Sequence, residues 1–330
     1  MVISRKYEVV GSLGQGGMGV VYKVRHTHLE TISALKVLPA YLMENQDMVN
    51  RFYREARVMA RLNHPNIVRV LDIERDESLN LYYFVMEYIE GVTLGKYLRE
   101  KGPLSLPEIL TLSRQVADAL GYAHNHTPPI IHRDIKPANI MIEDRTSRVV
   151  VMDFGIAKEL GDGDSTKTGM VIGTLKYASP EQLRHEPLDG SADVYSLGLV
   201  MYEMYTGKQF FGGLDEHAVL GKVLYDSKEN EPQFDRRPPA AFADLLTRAM
   251  AKSRTRRYHN MRELLQALDA CRNLSAGDDE TGTLILSGLG KEDKKAPEAP
   301  PEDDIEEQIR KLEEERRRRQ VAGANRRVRS

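Results

Sequence analysis

Within the stretch IIHRDIKPANIM, Ile130 to Met141, Asp134, Lys136 and Asn139 fall inside six consecutive positions. A carboxylate accepts a proton, an ammonium neutralises phosphate, and an amide oxygen binds a hard cation. Side chains of these types packed so closely point to phosphoryl transfer. Such a site also requires a nucleotide cradle and a second metal ligand. The segment VVVMDFGIAKEL places Asp153 directly after four apolar residues. A carboxylate at the end of a buried strand is costly unless it binds something. Magnesium suits that position, because it takes carboxylate and phosphate oxygens while keeping some water. On this reading Asn139 and Asp153 are the metal ligands, Asp134 is the base, and Lys136 clamps the transferring phosphoryl group.

The cradle is expected near the N-terminus. LGQGGMGVVYKV carries Gly14, Gly16 and Gly19 in a GxGxxG pattern, with Val21 two residues further on. Alone, the pattern fits a flexible hairpin equally well. A dinucleotide-binding turn would need strand, glycines, then helix, whereas strand-like sequence follows here. The glycines therefore join two strands and let backbone N–H groups approach phosphate oxygens without Cβ clashes. Lys36 lies in SALKVL, where alternation turns it under this loop. Glu55, in RFYREARVMARL, shares a helix face with Phe52, Ala56 and Met59. A Lys36–Glu55 ion pair would hold the ammonium towards the phosphates. An edge lysine that snorkels to solvent and a solvated helix glutamate are the plainer alternatives.

The elements that must position these groups divide into a β-rich start and a helical remainder. Residues 7 to 38 read as three strands, Asp47 to Leu62 has helical apolar spacing, and NIVRVLDI and LYYFVMEYI return to strand character. PEILTLSRQVADALGYAHN and SADVYSLGLVMYEMYTG are the clearest later helices. The polar, Gly- and Pro-rich composition of residues 274–304 predicts a flexible linker. Residues 305–330 read as a charged helical and basic tail, in which pairs such as Glu306–Arg310 would each add about 0.2–0.5 kcal/mol to a helix. Seven arginines between Arg316 and Arg329 suit an anionic membrane surface as well as plain solvation.

Bulk properties restrict the function classes. The 330 residues carry a net charge of −2, so no specific nucleic-acid partner is expected. The single cysteine, Cys271, excludes an intrachain disulfide and fits a reducing compartment. The N-terminus shows no secretory signal, and no run of about 18 apolar residues occurs. The expected location is cytoplasmic, either as a soluble protein or as the cytosolic part of a membrane-anchored one.

In order, the glycine loop Gly14–Val21, Lys36, Glu55, HRDIKPAN, DFG and SPE at Ser179–Glu181 resemble the eukaryotic-type serine/threonine protein kinases. The motifs span Tyr7 to about Cys271. STKTGMVIGT and YASPEQL are closest to the bacterial receptor-type members. The resemblance implies an α+β, bilobal kinase fold. A small antiparallel sheet of five strands with one main helix would occupy about residues 1–88, and a larger helical lobe 89–273. It implies ATP with Mg2+, or Mn2+, between the lobes. Adenine would be lined by Leu13, Val21, Ala34, Met86 and Met141, with the backbone of Glu87 and Ile89 at the hinge. Thr174 would stand on the substrate side. Arg133 and phosphorylated Thr166 or Thr168 would form a regulatory pair. Glu181 and Arg257 match the family's buried ion pair, and Asp193 the residue that braces the catalytic loop. Ser179 and Tyr195 depart from the usual Ala and Trp.

The implied activity is phosphoryl transfer to Ser and Thr hydroxyls of proteins, with autophosphorylation through a transient homodimer. A non-catalytic scaffold and a small-molecule phosphotransferase are the competing classes. The first conflicts with the retained Lys36, Asp134 and Asp153, and the second with the peptide-docking segment GTLKYASPE.

Overall fold

The computed structural model describes residues 1–16, 19–38, 40–155 and 175–275. Thr166, Thr168 and Thr174 lie outside this set. Contacts divide the described chain into two compact units.

The first unit comprises Met1–Phe52 and Leu71–Tyr88. Its sheet has the order β1 (Val2–Ile3), β2 (Tyr7–Gly16), β3 (Gly19–His26), β4 (Ile32–Val37), β6 (Leu81–Glu87), β5 (Val70–Asp76). This is six strands, one more than the five expected. The extra strand exists because Ser4 and Arg5 take left-handed φ values of 49° and 56° and fold Val2–Ile3 back along β2. Neither residue is glycine, so the turn had no sequence signature. Ile3 then fills the core with Tyr7, Tyr22, Val24, Leu35, Val37, Tyr83 and Val85.

The sheet curls until strands near its opposite edges meet through side chains. Tyr7 Oη donates to Asp72 at 3.2 Å and Tyr83 Oη to Glu74 at 2.7 Å, and Lys6 pairs with Glu74. Burial beside these carboxylates pushes the Tyr7 hydroxyl up to about 12. The remaining long element of this part is α2 (Gln46–Met59), preceded by the single turn α1 (Ala40–Met43).

The second unit begins inside α2 and comprises Tyr53–Val70 and Ile89 onward. Residues after α2 belong here because they lock to β9 (Val149–Val151). Val68 N–H donates to Val151 O, Val151 N–H to Asn66 O, and Asn66 Nδ2 to Val149 O at 2.7 Å. A three-stranded sheet, β7 (Gly91–Thr93), β8 (Ile140–Glu143), β9, lies in this unit. The unit also contains α3 (Leu94–Lys101), α4 (Leu106–His124), α5 (Pro180–Leu183), α6 (Ser191–Thr206), α7 (Glu216–Leu220), α8 (Ala240–Ala249) and α9 (Met261–Ser275). A Ser105–Glu108 capping box with Pro107 in the first turn starts α4. Helix α6 is buried on nearly every side, which suits a core helix with no solvent face.

Candidate active site

The first unit carries the glycines and Lys36. Strands β2 and β3 form a hairpin that closes at the Gly16↔Gly19 pair, so the glycines do join two strands. A Cβ on Gly19 would stand 2.5 Å from Val37 O, which explains glycine at that position. Cross-strand pairs share a face of a sheet. The pairs Gly14↔Val21, Val21↔Lys36, Ala34↔Met86 and Lys36↔Phe84 therefore set Gly14, Val21, Ala34, Lys36, Phe84 and Met86 on one face. The opposite face holds the apolar core. Alternation thus delivers Lys36 to the predicted side. Its side chain is buried, not snorkelling, with Nζ 5.5 Å from the Phe84 ring centroid. Leu13 is exposed on β2 of this hairpin, and Glu87 ends β6 on the stretch leading to buried Ile89.

The second unit carries the rest. Asp134 Oδ2 lies 3.0 Å from Lys136 Nζ and accepts from Asn139 Nδ2 at 3.0 Å. The same Nδ2 donates to Asp134 O at 2.8 Å. Both bonds use the amide nitrogen, so the Asn139 oxygen is the atom left to meet a cation. A short 3-10 turn, Pro137–Asn139, brings these three groups round to one place before β8, where Met141 pairs with Thr93. Glu55 is buried on α2, so the solvated reading of this glutamate is excluded.

The backbone here is strained. Arg133 has φ 66° and Asp153 φ 49°, a region that costs a non-glycine residue about 1–3 kcal/mol. Several bonds hold it. Asp193, fully buried on α6, accepts from His132 N–H at 2.8 Å and from Arg133 N–H at 2.9 Å. Burial alone would raise the Asp193 carboxyl. His124, whose Nε2 is 2.7 Å away, and the His132 N–H bring it below the ordinary carboxylate range instead.

His132 ties the loop around Asp134 to the Asp153 segment. Its Nδ1 accepts from Asp134 N–H at 3.2 Å, its Nε2 faces Met152 O at 2.9 Å, and its own carbonyl accepts from Gly155 N–H at 2.8 Å. Burial lowers its pKa, so the ring is neutral and its Nε2 carries the proton. Its ring also stacks on Phe154 at 4.4 Å.

The buried pair is present: Arg257 donates to Glu181 at 2.6 and 2.9 Å. Both departures from the family pattern have structural work. Ser179 caps α5 in a capping box with Gln182. Tyr195 accepts from Asn230 Nδ2 at 2.9 Å and lies under the Arg257 guanidinium at 4.8 Å. Two contributors escaped the sequence reading. His124 carried no signal beyond its place at the end of a helix, while Ser179-x-x-Gln182 is a legible N-terminal cap.

Comparison with known proteins shows the family of the chain. Residues 7–268 match the family model described as protein kinase domain. The chain is 37% identical over 285 residues to a probable serine/threonine-protein kinase of Clostridium acetobutylicum, covering 86% of this chain and 43% of that one. It is 35% identical to serine/threonine-protein kinase PrkC of Bacillus subtilis, covering 79% and 40%, and 42% identical to PknB of Mycolicibacterium smegmatis, covering 79% and 42%. It therefore spans less than half the length of these relatives. A crystal structure of the PknI kinase domain of Mycobacterium tuberculosis, a double mutant, superposes with a TM-score of 0.63 at 27% identity, covering 82% of this chain and 98% of that one.

Proposed function

The chain belongs to the protein kinase domain family and is related to the bacterial receptor-type serine/threonine kinases, and from that premise we propose that it transfers the γ-phosphoryl group of ATP to serine and threonine hydroxyls of proteins. The observation that carries this reading is Asp134 Oδ2, held at 3.0 Å from both Lys136 Nζ and Asn139 Nδ2. Asp134 orients and accepts the proton of the attacking hydroxyl. Lys136 offsets charge on the transferring group. The Asn139 amide oxygen and the Asp153 carboxylate are hard oxygen donors and few in number. They fit Mg2+ (or Mn2+), which takes its other ligands from phosphate and water. When bound, the metal neutralises phosphate oxygens. Lys36, oriented by Glu55, meets the α- and β-phosphates, and the glycine hairpin covers them. Leu13, Val21, Ala34, Met86 and Met141 line the adenine, and Glu87 and Ile89 bind it through their backbone.

Thr166 and Thr168 are the proposed autophosphorylation sites, read by Arg133, and Thr174 stands on the acceptor side. The partners are protein substrates, a transient second copy of the chain during autophosphorylation, and anionic lipid at the arginine-rich tail. The proposed location is cytosolic. Among the described residues no helix is long and apolar enough to cross a membrane.

Intact mass after incubation with ATP and Mg2+ tests the reading. The wild type is expected to gain phosphates that map to Thr166 or Thr168, and Asp134→Asn to gain none. Equal gain by both would remove Asp134 from the mechanism. No gain by either, with ATP still bound, would favour a nucleotide-binding scaffold.

A further inference from the structure

Beyond its part in the α5 cap, Gln182 donates its side-chain nitrogen to the carbonyl oxygen of Arg133 at 2.7 Å. That carbonyl belongs to the peptide bond leading into Asp134. The N–H of the same peptide is held by His132 Nδ1 at 3.2 Å. The two preceding N–H groups are held by Asp193. Four backbone groups of this short stretch are thus fixed by side chains, and Gln182 supplies the donor for the carbonyl. The peptide requires such a restraint, because Arg133 sits at a left-handed φ of 66° from which it would relax if released.

The other end of the amide is also committed. Gln182 Oε1 accepts from Ser179 N–H at 3.1 Å and from Ser179 Oγ at 3.2 Å, completing the capping box of α5. One side chain therefore couples the start of the helix after Ala178 to the peptide plane that aims Asp134. We propose that Gln182 is a positioning residue for Asp134, transmitting the placement of the segment ending at Ser179 to the catalytic base. This rests on the reading of Asp134 as that base.

The two ends of the amide can be separated chemically. Gln182→Glu retains an acceptor for the Ser179 cap, since a glutamate three residues into a helix is a favoured partner in this box. It loses the donor to Arg133 O at neutral pH. Gln182→Met removes donor and acceptor with little change of volume and no new charge. Phosphoryl transfer to a generic Ser/Thr protein substrate would be measured with Mg2+-ATP for wild type, both variants and Asp134→Asn, with Tm recorded for each.

The expected result is a fall in kcat of about tenfold in both variants, the order that one hydrogen bond controls. The KM for ATP should stay within about twofold, and the Tm of Gln182→Glu near that of wild type. Wild-type kcat in either folded variant would overturn the proposal. So would a kcat loss in Gln182→Met alone, which would reduce Gln182 to a helix cap. Failure of the underlying reading looks different: wild type itself would be inactive, or Asp134→Asn as active as wild type.

Discussion

Arg257 permits the strictest test of the packing that carries the site. Its five N–H groups are all used: Nε to Ala251 O at 2.5 Å, Nη1 to Glu181 Oε1 at 2.6 Å and Ser191 O at 3.2 Å, Nη2 to Glu181 Oε2 at 2.9 Å and Lys252 O at 2.8 Å. Arg257 is 0% exposed and Glu181 2%. Lysine keeps the charge but offers three donors from one nitrogen, so at least two acceptors lose theirs. Each buried acceptor left unpaired costs about 1–3 kcal/mol. Arg257→Lys is therefore expected to lose about 2–6 kcal/mol, and Arg257→Met, which leaves the buried Glu181 carboxylate only the Arg254 guanidinium at 3.9 Å, about 3–5 kcal/mol. At roughly 2–4 °C per kcal/mol for a domain of this size, the Tm should fall by on the order of 10 °C. Urea unfolding of the single variants and of Glu181→Leu/Arg257→Met would measure this. The double variant should be more stable than Arg257→Met, because no charge is then left unpaired. A loss below about 1 kcal/mol in Arg257→Lys, or a double variant weaker than both singles, would refute the claim that donor geometry decides.

Glu203 and Gly91 lead to two further expectations. Burial raises the Glu203 carboxyl above its ordinary value, although the Tyr177 hydroxyl donates to it. The native state then holds a proton that the unfolded chain has lost, so this group's contribution falls as pH rises from about 4.5 through the raised value. Glu203→Gln should remove that slope, and its stability relative to wild type, from urea midpoints across pH 4–8, should grow with pH and then level off. A pH-independent difference would contradict it. At Gly91, a Cβ would lie 2.0 Å from Ile142 O. Gly91→Ala must push β7 from β8 and should destabilise by about 1–3 kcal/mol in the same assay. An unchanged midpoint would mean that the strands move apart freely.

Much of this could be read before any coordinates. The hairpin was legible because strand-like residues flank the glycines on both sides, and the direction of Lys36 because alternation in β4 admits one answer. The sixth strand was not, since it depends on Ser4 and Arg5 adopting left-handed backbone without glycine. Nor was the strand NIVRVLDI placed well: pairing starts only at Val70, because Ile67 and Val68 bond to β9 instead. A local pattern cannot show which distant strand claims an extended segment.

The same division governs the site itself. Asp134, Lys136 and Asn139 are close in sequence because one 3-10 turn suffices to gather them, and so their chemistry was readable as a motif. The loop before that turn has no helix or strand to satisfy its backbone. His132 Nδ1 and the Gly155 N–H meet two of its polar groups, and side chains from far away meet others: Asp193 is 61 residues from His132, and Gln182 is 49 from Arg133. Nothing within the loop's own sequence specifies them. Reactive groups are therefore local here, while the restraints that aim them are not. A substitution that leaves HRDIKPAN intact can still disarm it by releasing one carbonyl or one pair of N–H groups.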